Sequence, residues 1–404
     1  MLRLNILTIR GLSNEYKPIL KDLWHYCFAG GGESTEEEDN IYFDAIDLKN
    51  CLGYFTDEKL TSTYLVISFK IFVRGILMDM GGIAAVATFP QYRRKKQVSA
   101  LATESLKLMR KNKQFISALY PFKYSFYRKY GYANCAEFKS VIAPPHNFLI
   151  PDDFKPLQIR EIAFEESFKT LKSFREKIGP KYNLIMYDDF KTWIAHYVNK
   201  KQKIFVVEDN DEIVGYFITS LQKREGNWNI RLNFRDIIVA NHQARLTVYD
   251  YIKKHTDQTK DVKIPLMGDE ATTEYFDDLW EGDFKYEISG SSMFRVVDVV
   301  ESLKLLEFDK NLTLSFTLKI DDKYAPWNEE PFKITIENGK AKIDNTDSSD
   351  FDFMIDINAF TQLFTGYRDI YQLIEFNKAK IKESIVSKIN QAFPKRYTQL
   401  RTMF

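Results

Sequence analysis

Little in this chain can hold a metal. Its five histidines, His25, His146, His196, His242 and His255, stand far apart, with no ligand spacing among them. Cysteine is scarcer still. Cys27, Cys51 and Cys135 are odd in number and scattered, which argues against a disulfide framework and for a reducing compartment, the cytoplasm. No metal is expected. An excess of one charge is also missing, since 57 Lys and Arg balance 56 Asp and Glu. Neither nucleic acid nor an anionic membrane is therefore an expected partner. No apolar run nears the ~20 residues that span a bilayer. The opening MLRLNILTIRG reads as a strand and lacks the apolar segment and cleavage site of a signal peptide.

What the chain does have is apolar and aromatic mass. Hydrophobic residues make up 45%, with 32 Phe and 23 Tyr. At ~150 residues per domain, a chain of this length is expected to form two or three domains. The densest information lies between Gly81 and Tyr132. An apolar strand (Ile83–Phe89) runs into a basic turn, Arg93-Arg94-Lys95-Lys96, and then into a helix. Val98, Leu101, Ala102, Ser105, Leu108 and Met109 fall on one face of that helix. A second strand, Phe115–Leu119, precedes a short aromatic helix holding Tyr127. A strand feeding a basic turn at a helix N-terminus suits a phosphate, because unpaired N–H groups and the helix dipole attract anions there.

Two segments, GGIA-x-VAT-x-P-x-YRR at Gly81–Arg94 and YPF-x-Y-x-FYRK-[FY]-G at Tyr120–Gly131, resemble the acyl-CoA-binding core of the GNAT N-acetyltransferases. Within that superfamily they resemble the enhanced-intracellular-survival (Eis) family. The resemblance implies an α+β chain: two tandem GNAT-like domains, then a sterol-carrier-like α+β domain. The expected bounds are 1–150, 151–296 and 297–404. It implies acetyl-CoA as co-substrate, held by Val86, Ala87, Thr88, Arg93, Arg94, Lys95, Lys96, Gln97, Val98, Ser99 and Phe122. Tyr127 is the expected general acid, since a phenol of pKa ~10 is protonated at neutral pH. The family's general base is the C-terminal carboxylate, here that of Phe404. The implied acceptor is a primary amine, either polyamine-like, aminoglycoside-like or a protein lysine. The implied assembly is a homohexamer.

One position departs from the superfamily's usual turn, R-x-x-G-x-[GA]. Lys96 stands where the glycine belongs. A side chain there can block close approach of a phosphate; a helical φ would tolerate lysine, and its charge can serve the phosphates. Lys96 keeps a second reading open, a non-catalytic protein with a weakened CoA site and an apolar ligand in its sterol-carrier-like domain.

The rest of the chain is read more coarsely. The first segment opens on a strand (Leu4–Ile9) and a helix capped by Ser13, with Ile19, Leu20, Leu23, Trp24 and Cys27 on one face and Gly30–Gly32 as its stop. Trp24 and Phe28 are candidates for the acceptor pocket or for core. Glu33, Glu36, Glu37, Glu38 and Asp39 read as an acidic loop, either solvated or a collecting surface for a polycation. Tight turns are expected near Arg74-Gly75 and Gly81-Gly82, and Glu137–Ala143 as the last strand of this segment. Residues 144–156, rich in proline, read as a linker. The second segment carries helices near 164–178 and 187–199, a hairpin around Asp209-Asn210-Asp211, the strand Ile230–Val239 and a helix from His242. Its turn, Ala-Asn-His-Gln-Ala, lacks the basic cluster, so it reads as a GNAT-like copy without a donor. The third segment begins near Met293. It shows the alternation Leu312, Leu314, Phe316, Leu318, Ile320, an Asn338-Gly339 hairpin and three C-terminal helices. Pro326-Trp327-Asn328 and Leu363–Arg368 resemble recurrent segments of the family's sterol-carrier-like domain.

Overall fold

The computed structural model describes residues 8–28, 36–187, 202–226, 229–266, 274–280 and 283–400. The chain forms two compact units, one joining its first 135 residues to Ser292–Thr398 and the other built on Ala136–Ser291. The first unit starts with strand β1 (Thr8–Gly11) and helix α1 (Lys17–Phe28). Ser13 does not cap that helix. It precedes a 3-10 turn (Asn14–Tyr16), and its hydroxyl donates to Glu15 Oε1 at 2.7 Å. Glu36–Ala45 is helix α2 rather than a loop. Asp39 and Phe43, one turn apart, are both buried and give it an inward face. Gly30–Gly32 and Glu33 lie outside the described residues.

Strands β2 (Cys51–Thr56), β3 (Lys59–Val73) and β4 (Ile76–Thr88) form an antiparallel meander. Arg74 (φ 54°) and Gly75 (φ 86°) make the expected tight turn. Gly81-Gly82 does not turn. It lies within β4, and a Cβ on Gly81 would overlap the Met109 sulfur. Its glycine lets helix α3 (Gln97–Lys111) lie close on the sheet, with Leu101, Ala102, Ser105, Leu106 and Met109 buried. Strand β5 (Ile116–Leu119) runs parallel to β4, followed by α4 (Tyr124–Arg128) and β6 (Ala133–Asn134).

The second unit begins with β7 (Glu137–Ala143), which pairs with the second sheet and not with the first. Its other elements are β8 (Gln158–Ile162), α5 (Phe164–Ile178), β9 (Ile185–Met186), β10 (Lys203–Asp209), β11 (Glu212–Lys223), β12 (Ile230–Val239), α6 (His242–Lys253), β13 (Asp261–Pro265) and β14 (Lys285–Gly290). The sheet order is β14-β7-β13-β12-β11-β10-β8, and among the described residues only its β12–β13 pair is parallel. Here β8-β10-β11-β12-β13 repeats the order and directions of β1-β2-β3-β4-β5. Most of the helix expected at 187–199 lies outside the described residues. The expected linker contributes core: Phe148 is fully buried, its ring 4.9 Å from that of Phe276.

Strand β15 (Met293–Val296), expected to open the last domain, returns to the first sheet and fills the gap between β5 and β6. The remainder is α7 (Val299–Leu305), β16 (Leu314–Asp321), β17 (Phe332–Glu337), β18 (Lys340–Asn345), β19 (Phe353–Asp356), α8 (Ile357–Phe364), α9 (Ile370–Glu375), β20 (Ala379–Ile381) and α10 (Glu383–Ala392). Its sheet runs β18-β17-β16-β19-β20. Leu314, Phe316, Leu318 and Ile320 are buried on alternate positions of β16. Asn338 and Gly339 take the positive φ of a type I′ hairpin turn.

Candidate active site

A bulge in β4 begins the site. The β3–β4 register slips between Thr63 and Leu65, Ala85 takes φ 47°, and Thr63 Oγ1 donates to the Ala85 carbonyl at 2.8 Å. The parallel pairing of β4 with β5 ends at Ile83↔Leu119. Beyond it, Ala87 and Thr88 pair with β3 on one edge, and Val86–Thr88 have no strand partner on the other among the described residues. Such an edge can accept an extended ligand as an added strand.

The basic turn closes over the end of this edge. Arg94 (φ 62°) and Lys96 (φ 59°) both occupy the left-handed region. Lys96 therefore does not have the helical φ that would suit lysine. It holds a conformation glycine adopts freely and other residues at a cost of about 1–2 kcal/mol. Lys96 is also the N-cap of α3, and its side chain caps nothing. Ala100 is the first amide bonded back, to Lys96 O at 3.2 Å, so the N–H groups of Gln97, Val98 and Ser99 have no intrahelical acceptor. The Gln97 side chain turns inward. Its Oε1 accepts from Ser62 Oγ (2.6 Å) and Thr61 Oγ1 (3.2 Å), and its Nε2 donates to Thr56 Oγ1. Only its backbone faces the turn's outer side. Arg93 Nε donates to the Thr88 carbonyl at 3.1 Å, which ties the turn to the strand.

All of the donor-site residues expected from sequence, Val86–Thr88, Arg93–Ser99 and Phe122, line one cavity of about 780 Å³. Cys27, Phe28, Tyr92, Phe126, Lys129 and Tyr130 line it too; sequence reasoning offered Phe28 for an acceptor pocket and placed none of the other five at the site. A signal was present for some of them. Phe126 and Tyr130 follow the expected Phe122 at four-residue spacing, and the successive ring centroids lie 5.1 and 5.6 Å apart. Tyr130 is anchored, its hydroxyl 3.0 Å from Ser99 Oγ. Tyr127 is one layer behind the wall. It is 4% exposed, with the Phe122 and Phe126 rings edge-on at 5.6 and 5.0 Å. Burial, then the neighbouring Tyr132 and Tyr130, push its phenol pKa up, so the proton stays on at neutral pH. Trp24 is core: its Nε1 donates to Thr63 Oγ1 at 3.0 Å and its ring stacks on Phe43. Phe28, the other acceptor-pocket candidate, lines the cavity. Asp39 is spent on Lys21 (2.7 Å) and His25 (3.0 Å). No Asp, Glu or His lines the cavity among the described residues, and Phe404 lies outside them. Nor do three metal-ligating side chains converge anywhere among them.

Comparison with known proteins now decides what this geometry belongs to. Residues 8–135 match the acetyltransferase (GNAT) domain family, and residues 299–400 match the sterol carrier protein domain family. The chain carries a GNAT acetyltransferase domain. That makes it an acyltransferase whose donor is an acyl-CoA. Solved structures share the fold along nearly the whole chain. A GCN5-related N-acetyltransferase of Anabaena variabilis has a TM-score of 0.87 at 19% identity, covering 98% of this chain and 100% of its own. A probable N-acyltransferase of Enterococcus faecalis has 0.86 at 22%, covering 99% and 100%. Eis1 of Mycobacterium abscessus has 0.81 at 15%, covering 99% and 100%. No curated relative matches the sequence. In the GNAT domain the free β4 edge, the uncapped α3 N-terminus and the cationic turn fit an acyl-CoA's extended arm and phosphates.

Proposed function

We propose that this GNAT domain moves an acetyl group from acetyl-CoA to a primary amine. The carrying observation is that one cavity gathers the open edge of Val86–Thr88, the three uncapped amides of α3 and the cations Arg93, Arg94, Lys95 and Lys96. In this reading the strand edge takes the pantetheine arm, and the turn takes the pyrophosphate with its amides and positive charge. The amine nitrogen attacks the thioester carbon, the C–S bond breaks, and an amide and free CoA result. Tyr127 is assigned the proton for the departing sulfur; its ring backs the cavity wall, so its hydroxyl must reach past the Phe122 and Phe126 rings to deliver it. The amine's proton needs an acceptor, and the described cavity wall offers no carboxylate or imidazole. By its resemblance to the Eis family, whose C-terminal carboxylate takes that part, we assign it to the α-carboxylate of Phe404, a group ordinarily ionised at neutral pH.

The acceptor class, polyamine-like, aminoglycoside-like or lysine, is left to a substrate panel. The protein is read as cytoplasmic and, by its resemblance to the Eis family, hexameric, which light scattering on the purified chain tests. No helix among the described residues is long and apolar enough to cross a membrane. The strain at Lys96 favours the second reading, a binding protein with a weakened CoA site. Tyr127→Phe separates the two. It keeps the ring, so acetyl-CoA should bind as in the wild type while kcat falls ~10²–10⁴-fold, the range for lost general acid catalysis. Turnover close to normal would remove Tyr127 from the mechanism. Acetyl-CoA binding without turnover on any amine, in the wild type, would favour the binding protein.

A further inference from the structure

The corner after α4 is gripped on alternate carbonyls. Asn358 Nδ2 donates to Arg128 O (2.9 Å) and to Tyr132 O (2.8 Å). Between these, Arg295 Nη1 donates to Tyr130 O at 2.5 Å. Gln362 Nε2 then donates to Asn134 O at 2.9 Å. Asn358 and Gln362 are one turn apart on α8, in the sterol-carrier-like part of the first unit, and Arg295 is on β15. Arg295 is fully buried, and its Nη2 alone donates to both carboxylate oxygens of Asp322 at 2.7 Å, with Asp322 itself 1% exposed. Asn328 Nδ2 holds the same carboxylate at 2.9 Å. Tyr324, two residues on, places its ring edge-on to that of Tyr130 at 5.0 Å. Gly131 has φ 85°, and any Cβ there would overlap Arg295 Nη1. The motif's glycine is thus required by the guanidinium beside it as well as by the turn.

We infer that Arg295, with Asp322, is a positioning residue for acyl transfer, and that the sterol-carrier-like part clamps the active-site corner through it. A buried ion pair is weak evidence for stability, because desolvation offsets most of the Coulomb gain. This one is spent on a single carbonyl, that of Tyr130, whose hydroxyl meets Ser99 at the cavity and whose amide bonds to Tyr127 O at 3.0 Å. Fixing Tyr130 fixes the backbone of Tyr127. The inference rests on the acetyltransferase reading for its kinetic consequence, and on geometry alone for the clamp.

Two variants of the full chain release the carbonyl by different routes. Arg295→Met with Asp322→Leu replaces the pair with apolar bulk and leaves no buried charge unpaired. Gly131→Ala evicts the guanidinium and leaves both charges in place. In each, amide hydrogen exchange across 128–134 should rise, with α3 unchanged. Acetyl-CoA affinity by calorimetry should fall far less than kcat, because the pair reaches the donor turn only through the Tyr130 contact with Ser99. The kcat per donor-binding site should fall ~10²-fold, the cost of a catalytic group misplaced by about 1 Å. Tyr371→Ser, at an exposed position of α9, is the control and should change nothing. A purely structural pair would lower melting temperature and yield while leaving kcat per binding site intact, and that result would overturn the inference. If one variant does not fold, the other decides. If the wild type neither binds acetyl-CoA nor turns over, the acetyltransferase reading falls, and unchanged exchange at 128–134 would still sink the clamp.

Discussion

Lys96 holds two opposed effects in one side chain. Its φ of 59° costs backbone energy, and its ammonium adds charge beside the uncapped N–H groups of α3. Lys96→Gly separates them. Relief of the left-handed strain should stabilise the fold by about 1 kcal/mol, a rise of about 2–4 °C in a unit of this size. Loss of the charge-assisted contact should weaken acetyl-CoA about tenfold, near the low end of what such a bond contributes. Calorimetry and thermal melts on the same preparation check both. Unchanged affinity would mean that the ammonium does not reach the phosphates. The departure at this position was visible in sequence, but its sign was not, because φ is decided by how the turn closes against β4. Cysteine gives a second test at this scale. Burial pushes the thiols of Cys51 and Cys135 up to about 12, so at neutral pH they are unionised as well as shielded. Cys27 lines the donor cavity. One thiol per folded chain should react with a water-soluble disulfide reagent, and acetyl-CoA should slow it. Two reactive thiols, or no protection, would contradict the placement of Cys27.

At the scale of elements, α3 and α6 occupy matching places after matching strands, yet their N-termini differ. The amides of α3 are left open, whereas Asn241 caps α6 by accepting from the Ala244 amide at 2.8 Å. A side chain of the protein thus takes one of the groups an anion would use, and the turn's sequence, Ala-Asn-His-Gln-Ala, carries no Lys or Arg. One acetyl-CoA per chain is the expected calorimetric stoichiometry; two would show that the second unit has kept a site. The contrast was legible in sequence as Arg93-Arg94-Lys95-Lys96 against Ala-Asn-His-Gln-Ala. Strand membership was not. Glu137–Ala143 reads as the last strand of the first segment and Met293 as the start of the third, while the sheets take these two strands in exchange. Periodicity reports which face of a strand is buried, not which sheet buries it. Gly81-Gly82 misled for a related reason. Glycine marks a turn or a close approach alike, and only the Met109 side chain against Gly81 tells which.

At the scale of the whole molecule, the proposed base comes from the far end of the chain, so the route of that end matters. Arg74, on the β3–β4 turn, donates to Phe364 O (2.7 Å), Leu363 O (2.9 Å) and Pro394 O (3.0 Å). Burial first, then Arg396, lowers its pKa to about 9. The Arg396 amide bonds to Gly366 O at 2.8 Å. The tail is therefore held at 394–396 and again at 399–400, where the Gln399 amide bonds to Asn183 O at 3.1 Å and Leu400 O accepts from Ser291 Oγ at 3.3 Å, so the chain from Leu400 to Phe404 can span at most ~14 Å. With the anchor fixed, chain length beyond it sets where a terminal carboxylate can reach. Deleting Phe404 draws the carboxylate back by up to ~3.5 Å. A C-terminal tag replaces it with an amide and removes the charge. Either change should cost ~10²-fold in kcat, as misplacement of a catalytic group does. Acetyl-CoA affinity and melting temperature should change little, since neither rests on the last residue in this reading. An N-terminal tag is the matched control and should leave turnover as it was. Rates measured on a panel of primary amines for the N-tagged, C-tagged and Phe404-deleted chains decide the matter. Equal rates would show that the terminus takes no part. The proton acceptor would then be sought near His25, bonded to the buried Asp39 on α2 and two residues from the cavity-lining Cys27 on α1.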